Sequence, residues 1–596
     1  MPVSPRQEGS GVIKLSILSG GDEIDGTYKV VSVTINKKIN MIPFAKIILQ
    51  DGDVSEGDFP ISNKDDFKPG AEIEIKAGYD QDTEILFKGI VVKHGIKITN
   101  DNFSRLVIEC RDKSVKMTVG RKNANFVNFK DNDVITSIIE NYSDLSSDIK
   151  STNTTYKELV QYYCTDWDFM LSRAEVNGML VLVDKAKISV KPPDTDSVPE
   201  LKVTYGNDLI EFQAEIDART QLKGVKGIAW DPKIQDVVEQ DGADVILNKQ
   251  GDLATADLAD VVAPESFRLQ SAISLEKTGL KAWADSQMIK AGLSRIIGRM
   301  KFQGNSKAKH GGLIEVSGVG NRFNGNVFVS SVYHDISNGN WLTEVGFGLP
   351  PDWFAEKRDI EAPPASGFLP GAEGLQVGIV KKLDEDPEAE NKIQVAVPVM
   401  QAETEGVWAR LASFYGSSSF GAFFVPEIGD EVVLGYFNND PCHPVIIGSL
   451  YSSKNAPPYG LTADNYTKAI VTKNKLKIEF DDENKVITIE SPGKNRITIS
   501  DEDKSILLED QNNNKVELGS GGISMESPKD IKLTAKGKIS IDATGEAGIT
   551  SKGDVNIKGL NVNNAADVGF VAKGNATAEL SASGQTTVKG AMVMIN

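Results

Sequence analysis

The last quarter of the chain carries a short repeat, which restricts its possible folds more than any other feature. Apolar residues recur two positions apart, as they do on one face of a strand. The pairs step by about ten residues as far as Leu518 and by eight residues after it: Ile487/Ile489, Ile497/Ile499, Ile506/Leu508, Val516/Leu518, Ile523/Met525, Ile531/Leu533, Ile539/Ile541, Ala547/Ile549 and Val555/Ile557. Gly537, Gly545 and Gly553 keep the step of eight. So short a period, with a turn residue in each repeat, predicts a β-solenoid or β-prism over about residues 470–596.

Two arrangements could bury this repeat. One chain could coil into a solenoid with three strands per turn, or three chains could each supply one face around a shared axis. The inward residues are mainly Ile, Leu, Val and Ala, and after Phe480 the only aromatic residue is Phe570. So narrow a set of inward side chains lacks the larger, layered core that a single-chain solenoid would need. The trimeric form is favoured because it also pairs the strand edges with neighbouring chains.

Length and charge limit the class of protein. A chain of 596 residues is long enough for about four domains. Its net charge of −19, from 65 basic and 84 acidic residues, repels phosphate backbones. We therefore expect nucleic acid not to be a partner.

The metal-binding residue types are scattered. Cys110, Cys164 and Cys442 form no CxxC pair, and the four histidines show no HExxH spacing. This pattern predicts neither a disulfide framework nor a structural or catalytic metal, and we expect no cofactor. Cys442-His443 beside Asp440 has no further candidate ligand nearby in sequence, so a turn is the simpler interpretation.

The N-terminus lacks the basic and apolar regions of a Sec signal, and no run approaches the roughly 18 apolar residues of a membrane span. We expect the protein to be made in the cytoplasm and to leave it only by means of a dedicated machine.

The remainder of the chain divides by composition. Residues 1–360 alternate strand-like runs with helical stretches, including predicted helices over about Tyr156 to Asn177 and Ala282 to Met300. The segment 361–374, EAPPASGFLPGAEG, is the clearest linker. Residues 375–455 hold five or six short strands, one of them at Phe423–Val425, which predicts a small barrel of the OB type. The chain is thus mainly β with some α.

Several runs resemble the VgrG-type spike proteins of contractile injection systems. The first resembles their DWEFLxRLAExxG signature and contains Asp166, Trp167, Asp168, Phe169, Met170, Arg173, Ala174, Glu175 and Gly178. A second group resembles their OB module and contains Trp408, Arg410, Pro426, Gly429, Asp430, Glu431, Asp440, Pro441 and Gly448. The ending Val588–Asn596 resembles their needle tip, with Val593, Met594, Ile595 and Asn596 as the tip residues. The likeness covers nearly the whole chain in the order hub, OB module and needle.

The resemblance implies a fold and a function. The expected fold is a hub of two β-barrel-type halves with helical insertions, an OB barrel and a trimeric β-helix or β-prism needle. The expected function is structural. A homotrimer would cap the hexameric inner tube, dock to the baseplate, carry a PAAR-like cone protein and effectors, and pierce the target membrane on sheath contraction. It would leave the cytoplasm within the injection particle and reach the outside or the target cell. Type VI secretion systems, extracellular particles and myophage tails all fit.

Two departures from some family members bear on catalysis. Only about 20 residues separate Tyr451 from Val471, too few for a lysozyme domain. The chain stops at Asn596, directly after the last repeat, so we expect a bare spike whose effectors are other chains.

The other functional interpretations have less support. Asp166, Asp168 and Glu175 could form an acid/base group, but the sequence shows no histidine partner and no cleft, so we expect no enzyme. The main alternative is a single-chain β-solenoid that binds or cleaves glycans. Such a protein needs paired carboxylates and aromatic residues for sugar stacking, and the last 116 residues hold one aromatic residue.

Overall fold

The computed structural model describes residues 2–6, 11–80, 82–100, 103–245, 247–271, 274–357, 360, 362–401 and 406–595. The chain forms two compact units, Met1–Leu450 and Tyr451–Asn596. Each unit is described by itself below.

The first unit is mainly β up to residue 350. Its strands there are β1 (Ile13–Ser19), β2 (Asp22–Glu23), β3 (Val30–Lys38), β4 (Phe44–Gln50), β5 (Glu72–Tyr79), β6 (Asp82–Ile98), β7 (Ser104–Arg111), β8 (Lys122–Lys130), β9 (Ser146–Ile149), β10 (Thr155–Cys164), β11 (Leu180–Asp184), β12 (Lys187–Lys191), β13 (Leu201–Thr204), β14 (Leu209–Ile216), β15 (Val225–Asp231), β16 (Asp236–Asp241), β17 (Phe267–Ser271), β18 (Ile296–Gln303), β19 (Leu313–Ser317), β20 (Gly325–Ser337) and β21 (Asn340–Phe347). Its helices are α1 (Asp131–Glu140), α2 (Asp166–Val176), α3 (Thr255–Val262) and α4 (Lys277–Leu293).

One 13-stranded sheet joins the early and late strands of this region. Its order is β14-β18-β21-β20-β3-β4-β7-β6-β5-β1-β2, with β19 paired to β20 and β13 to β19. The join is the antiparallel pair β3–β20, in which Val33 lies opposite Ile336. Successive side chains of a strand point to opposite faces of the sheet, so every second residue faces the core. The inward residues of β3 and β4 are fully buried and include Val33, Ile35, Ile47 and Leu49. Both halves of the predicted hub therefore share a single sheet.

The predicted helix over Tyr156 to Asn177 is wrong in its first half. Residues Thr155–Cys164 form β10, which pairs with β8 so that Tyr156 lies opposite Phe129 and Leu159 opposite Phe126. The segment is rich in β-branched and aromatic residues, which fit a pleated surface. The helix begins only after Thr165, whose hydroxyl caps the Asp168 N–H.

The predicted helix over Ala282 to Met300 is also misplaced. Helix α4 spans Lys277–Leu293, and β18 starts at Ile296. The β18 strand pairs with both β14 and β21, so backbone hydrogen bonds on both sides override its local helical pattern.

The OB region is a closed barrel in the order β22-β23-β24-β28-β27. The strands are β22 (Gln376–Lys382), β23 (Ile393–Ala396), β24 (Val407–Leu411), β25 (Gly416–Ser417), β26 (Phe420–Gly421), β27 (Glu431–Tyr436) and β28 (Pro444–Ser449). The core contains Val380, Ile393, Val395, Ala409, Val432, Leu434 and Ile446. The OB-type barrel is confirmed, but the strand predicted at Phe423–Val425 is not formed. The hairpin β25–β26 lies just before that position.

The second unit begins with a seven-stranded meander. Its strands are β29 (Thr467–Val471), β30 (Lys477–Asp481), β31 (Val486–Glu490), β32 (Arg496–Ser500), β33 (Ser505–Glu509), β34 (Lys515–Gly519) and β35 (Gly522–Glu526). Each strand pairs with its sequence neighbours, in antiparallel register. This pairing is a meander and not the solenoid of three strands per turn that one chain alone could form.

The apolar pairs of the repeat meet across this meander. Ile489 lies opposite both Ile478 and Ile497, and Ile497 lies opposite Leu508. Directly opposite residues point to the same face, so the pairs form one continuous apolar face, called here the apolar needle face. It contains Ile478, Phe480, Ile487, Ile489, Ile497, Ile499, Ile506, Leu508, Val516 and Leu518. Within the single chain this face stays open, with Ile489 45% exposed and Leu508 42% exposed.

The eight-residue repeats behave differently. Across residues 527–595, all of them described, the chain forms no helix and no strand, and its side chains are almost all exposed. Ile541, Ile549 and Ile557 are each more than two-thirds exposed. Backbone groups that no neighbouring strand pairs need a partner from elsewhere or from water.

Candidate functional site

The hub motif opens on a carboxylate that is fully used. Asp166 begins α2 and is 3% exposed. Its carboxylate accepts hydrogen bonds from the Lys122 ammonium at 2.6 Å, the Tyr142 hydroxyl at 2.7 Å and the Gln161 amide at 3.0 Å. The bond to Asp166 also raises the pKa of Lys122. A buried carboxylate with three donors ties three segments of the chain to the start of the helix.

Arg173 joins α2 to the first turn of α1. Its guanidinium donates to both oxygens of Asp131, with Nε at 2.6 Å and Nη2 at 3.1 Å. Asp131 is fully buried and also accepts from the Asn177 amide at 2.8 Å. The Tyr156 ring lies 4.8 Å from the guanidinium. Burial acts to lower the pKa of Arg173, but the hydrogen bonds to Asp131 raise it overall, so the guanidinium stays charged.

Glu175 and Gly178 join the other end of α2 to α4. Glu175 forms an ion pair with Lys290, and its second oxygen accepts the Phe354 N–H at 2.6 Å. Gly178 has a φ of +65°, and a Cβ placed there would lie 2.7 Å from Ile289 Cδ1. The glycine is therefore required both by the left-handed conformation that ends the helix and by the approach of α4.

The aromatic residues of the motif form part of a core. Trp167 is 6% exposed and Phe169 is 9% exposed, and the Phe169 ring stacks on Phe126 with centroids 6.1 Å apart. The three carboxylates of the motif have separate partners, since Asp168 accepts from the Thr165 hydroxyl at 2.6 Å. The structure therefore does not bring Asp166, Asp168 and Glu175 into a shared acid/base site.

The OB motif residues shape turns and strand ends of the barrel. Gly429 has a φ of +91°, and Asp430 accepts the Glu427 N–H at 2.9 Å, which closes the turn before β27. Asp440 accepts the Cys442 N–H at 2.8 Å and lies 3.2 Å from His443, and the Cys442 bond first and His443 second lower the pKa of Asp440.

The other members of this motif lie on the strands or beside them. Trp408 lies opposite Gln394, Glu431 opposite Ile379 and Gly448 opposite Val433. Arg410 lies over the Phe437 ring, and Pro426 is buried. Pro441 follows Asp440 in the turn between β27 and β28. Among the described residues no three His, Cys, Asp or Glu side chains are grouped as a metal would require.

The predicted tip residues are exposed. Val593 is 49%, Met594 78% and Ile595 91% exposed. Asn596 lies outside the described residues. None of the helices in the described part of the chain combines the length and the apolar character needed to cross a bilayer.

Sequence reasoning missed the partners of the hub motif. Asp131 is 42 residues from Arg173, and Lys290 is 115 residues from Glu175. In the sequence these positions are charged residues in or beside helical stretches, and charges on a helix are ordinarily part of a solvated face.

Three known families match the chain. Residues 9–338 match the Alg8 N-terminal domain, residues 376–451 match the type VI secretion system and phage-baseplate injector OB domain, and residues 486–548 match the phage baseplate V C-terminal trimerisation domain.

Curated relatives match over short segments. The type VI secretion system spike protein VgrG3 of Vibrio cholerae is 35% identical over 69 residues, which is 12% of this chain and 7% of the relative. The actin cross-linking toxin VgrG1 of Vibrio cholerae is 35% identical over 69 residues, which is 12% of this chain and 6% of the relative. The chain thus spans less than a tenth of the length of these relatives.

Among solved structures, the 43 kDa tail protein of prophage MuSo2 from Shewanella oneidensis is 10% identical. The superposition covers 57% of this chain and 98% of that chain with a TM-score of 0.42. The resemblance drawn from the sequence motifs is confirmed by the family matches. The chain carries matches to the type VI secretion system and phage-baseplate injector OB domain and to the phage baseplate V trimerisation domain, and it is similar to VgrG spike proteins over short segments. Because the Alg8 N-terminal domain match covers more than half of the 596 residues, the chain belongs to that family.

Proposed function

We propose that this chain is the structural spike of a bacterial contractile injection system and that it acts as a homotrimer without catalytic activity. The observation that carries the proposal is the open apolar needle face on β30–β34, followed after β35 by residues 527–595 with no strand pairing of their own.

A threefold arrangement accounts for both features. Three copies that place their apolar needle faces around one axis bury the Ile and Leu pairs that a single chain leaves open. The same arrangement gives the unpaired backbone of residues 527–595 a neighbouring strand from another chain. The match of residues 486–548 to a trimerisation domain supports this assignment.

The proposed division of the chain follows the order of the motifs along the sequence. Residues 1–360 are the hub, 361–374 the linker, 375–455 the OB domain and 470–596 the needle. The hub and OB motifs serve to hold these domains in shape, because their charged residues are engaged with partners inside the same unit.

The partners follow from the proposed position in the particle. The hub docks to the hexameric inner tube and the baseplate, while Val593, Met594, Ile595 and Asn596 carry a PAAR-like cone protein. The spike assembles in the bacterial cytoplasm, carries effectors, and leaves within the injection particle when the sheath contracts. Its contact with the target membrane is brief and mechanical.

The lack of catalysis is part of the proposal. A catalytic acid or base needs a free, positioned group within reach of a substrate. The carboxylates of the hub motif are instead held by Lys122, Thr165 and Lys290. One relative is named as a toxin, but its match covers only 6% of that protein.

A measurement of the native mass tests whether the chain forms the proposed homotrimer. Size-exclusion chromatography with light scattering should give three times the chain mass of 64.5 kDa. A monomer at micromolar concentration would overturn the proposed needle and return the glycan-binding alternative to consideration.

Cone binding tests the tip assignment. A chain lacking residues 588–596 should remain trimeric and fail to retain a PAAR-like protein in a pull-down. Ile595→Asp should weaken retention, and Thr587→Asp, an exposed position outside the four tip residues, should not. Retention of the cone by the truncated trimer would show that the tip is elsewhere.

A further inference from the structure

A polar cavity of about 640 Å³ lies within the hub and plays no part in the proposed spike function. Its lining includes Lys37 at the end of β3, Asp184 at the end of β11, His310 in the loop before β19, His334 on β20 and Trp341 on β21. This volume lies in the range typical of small-molecule sites.

His334 presents a hydrogen-bond donor to the cavity. The residue is 2% exposed, and its Nδ1 accepts the indole N–H of Trp341 at 3.3 Å. An indole nitrogen can only donate, so Nδ1 carries no proton and the neutral ring is protonated on Nε2. Thr343 lies 3.0 Å from the same Nδ1, and Nε2 has no hydrogen-bond partner among the described residues.

His310 adds a second unsatisfied nitrogen. Its Nε2 is buried and has no hydrogen-bond partner in the described chain. A buried polar atom without a partner costs free energy, so such atoms in native proteins usually mark a water, an ion or a ligand. The ring of His310 donates to the Val183 carbonyl, so its neutral form is protonated on Nδ1 and the buried Nε2 is an acceptor.

Lys37 supplies a positive charge to the cavity. Its side chain is 14% exposed, and its ammonium lies 2.5 Å from one oxygen of Asp184, whose side chain is 46% exposed. An ammonium has three donors, so two remain for another acceptor. Lys37 is also close enough for its charge to lower the pKa of both His310 and His334, after the larger effect of burial.

This set of groups suits an anion and not a metal ion. A metal-bound imidazole normally donates its other N–H to a neighbour. In His334 the other nitrogen is an acceptor, so a metal on Nε2 would require a ring without any proton. An oxyanion needs donors, and the cavity offers the Lys37 ammonium and the His334 Nε2–H. His310 presents its Nε2 as an acceptor, which can receive a hydroxyl of the bound molecule.

We propose that this cavity is a binding site for a small oxyanion that also carries a hydroxyl group, a free hydrogen phosphate or hydroxycarboxylate compound. Lys37 and His334 donate to its charged oxygens, and His310 accepts from its hydroxyl. The site is independent of the needle and requires no partner protein.

Isothermal titration calorimetry of the full-length protein tests the site, with inorganic phosphate and citrate as probes in separate titrations. At least one should bind saturably with one site per chain. Phosphate binding alone would identify a phosphate site, and citrate binding alone a carboxylate site. Saturable binding of neither probe up to about 10 mM would overturn the proposal.

Substitutions of the lining residues test whether the probe binds in this cavity. His310→Phe removes the acceptor Nε2 together with the bond to the Val183 carbonyl, and the folded variant should bind the probe at least tenfold more weakly. Lys37→Met should weaken binding to a similar degree. If the Lys37→Met protein does not fold, the affinity of the His310→Phe protein decides whether the probe binds in the cavity. His443→Phe, the same exchange at an exposed turn of the OB barrel, should bind as wild type. Unchanged affinity in a folded His310→Phe protein would show that the probe binds elsewhere.

Discussion

At the scale of single residues, the ion pair of Arg173 and Asp131 is the contact on which the hub motif most depends. Asp131 is fully buried, and its two oxygens receive Arg173 and Asn177. Arg173→Ala would leave a buried carboxylate with most of its compensation removed, and breaking a buried pair in this way costs about 3–5 kcal/mol. We expect a loss of that size in the free energy of unfolding of the hub, measured by chemical denaturation.

A second arginine in the hub provides the matched control. Arg219 forms a bidentate pair with Asp217, but the arginine side chain is 83% exposed. Arg219→Ala should change the unfolding midpoint little, because exposed pairs contribute little. Equal losses in the two variants would mean that burial does not set the importance of Arg173.

The two histidines of the cavity make the stability of the hub depend on pH. Burial first, and Lys37 second, lower the pKa of His334 to about 3 and that of His310 to about 4. An unfolded histidine has a pKa of about 6.5. Between about pH 4 and 6.5 the unfolded chain therefore binds more protons than the folded chain, so stability falls as the pH falls through this window.

Unfolding by denaturant at pH 7.5 and pH 5.0 measures this effect. Each histidine should remove about 2 kcal/mol over the interval. His310→Phe should reduce the difference, while His443→Phe, at an exposed position, should leave it as it is. A hub equally stable at both pH values would contradict the burial of neutral histidines beside Lys37 and Asp184.

At the scale of elements, the local sequence pattern predicts the end of α2 better than its start. Gly178 marks the C-terminal end of the helix as the sequence predicts, because a left-handed residue is needed there. The predicted start at about Tyr156 lies some three turns before the observed one at Asp166. Thr165 followed by Asp168 is a capping pattern visible in the sequence, whereas the pairing of β10 with β8 depends on residues about 30 positions away.

The same limit applies to the candidate site. The motif residues Asp166, Arg173 and Glu175 could be selected from the sequence by resemblance. Their partners could not, because Asp131 and Lys290 are brought to them only by the packing of α1 and α4 on α2. Sequence reasoning thus identifies the residues of one element and misses the contacts between elements.

Gly178 offers a test of how α2 and α4 pack. Gly178→Ala imposes an unfavourable φ and also places a Cβ 2.7 Å from Ile289 Cδ1. Gly206 has a φ of +83° but no atom within 4 Å of the position that a Cβ would take, so Gly206→Ala isolates the backbone effect. We expect Gly206→Ala to cost about 1 kcal/mol and Gly178→Ala clearly more, in thermal or chemical unfolding. Equal losses of stability in the two variants would mean that α4 moves away from the added methyl group without a loss of stability.

At the scale of the whole molecule, the two units differ in how much of their fold is self-contained. The first unit closes its own cores, including the OB barrel with seven buried apolar residues. The second unit pairs its strands only as far as Glu526 among the described residues and keeps an open apolar face. A chain of this kind completes its fold by association, because an apolar face of ten residues left in water is unfavourable.

The apolar needle face can be tested without disturbing the hub. Ile497 lies at its centre, opposite both Ile489 and Leu508. In the proposed trimer Ile497→Asp would bury three carboxylates near one axis, and their desolvation and repulsion should shift the native mass toward the monomer in light scattering. Thr488→Asp introduces the same charge on the opposite face of β31 and should remain trimeric. The hub of both variants should unfold at the wild-type denaturant concentration, because its cores lie in the other unit. A stable trimer of Ile497→Asp would show that the chains associate through another surface.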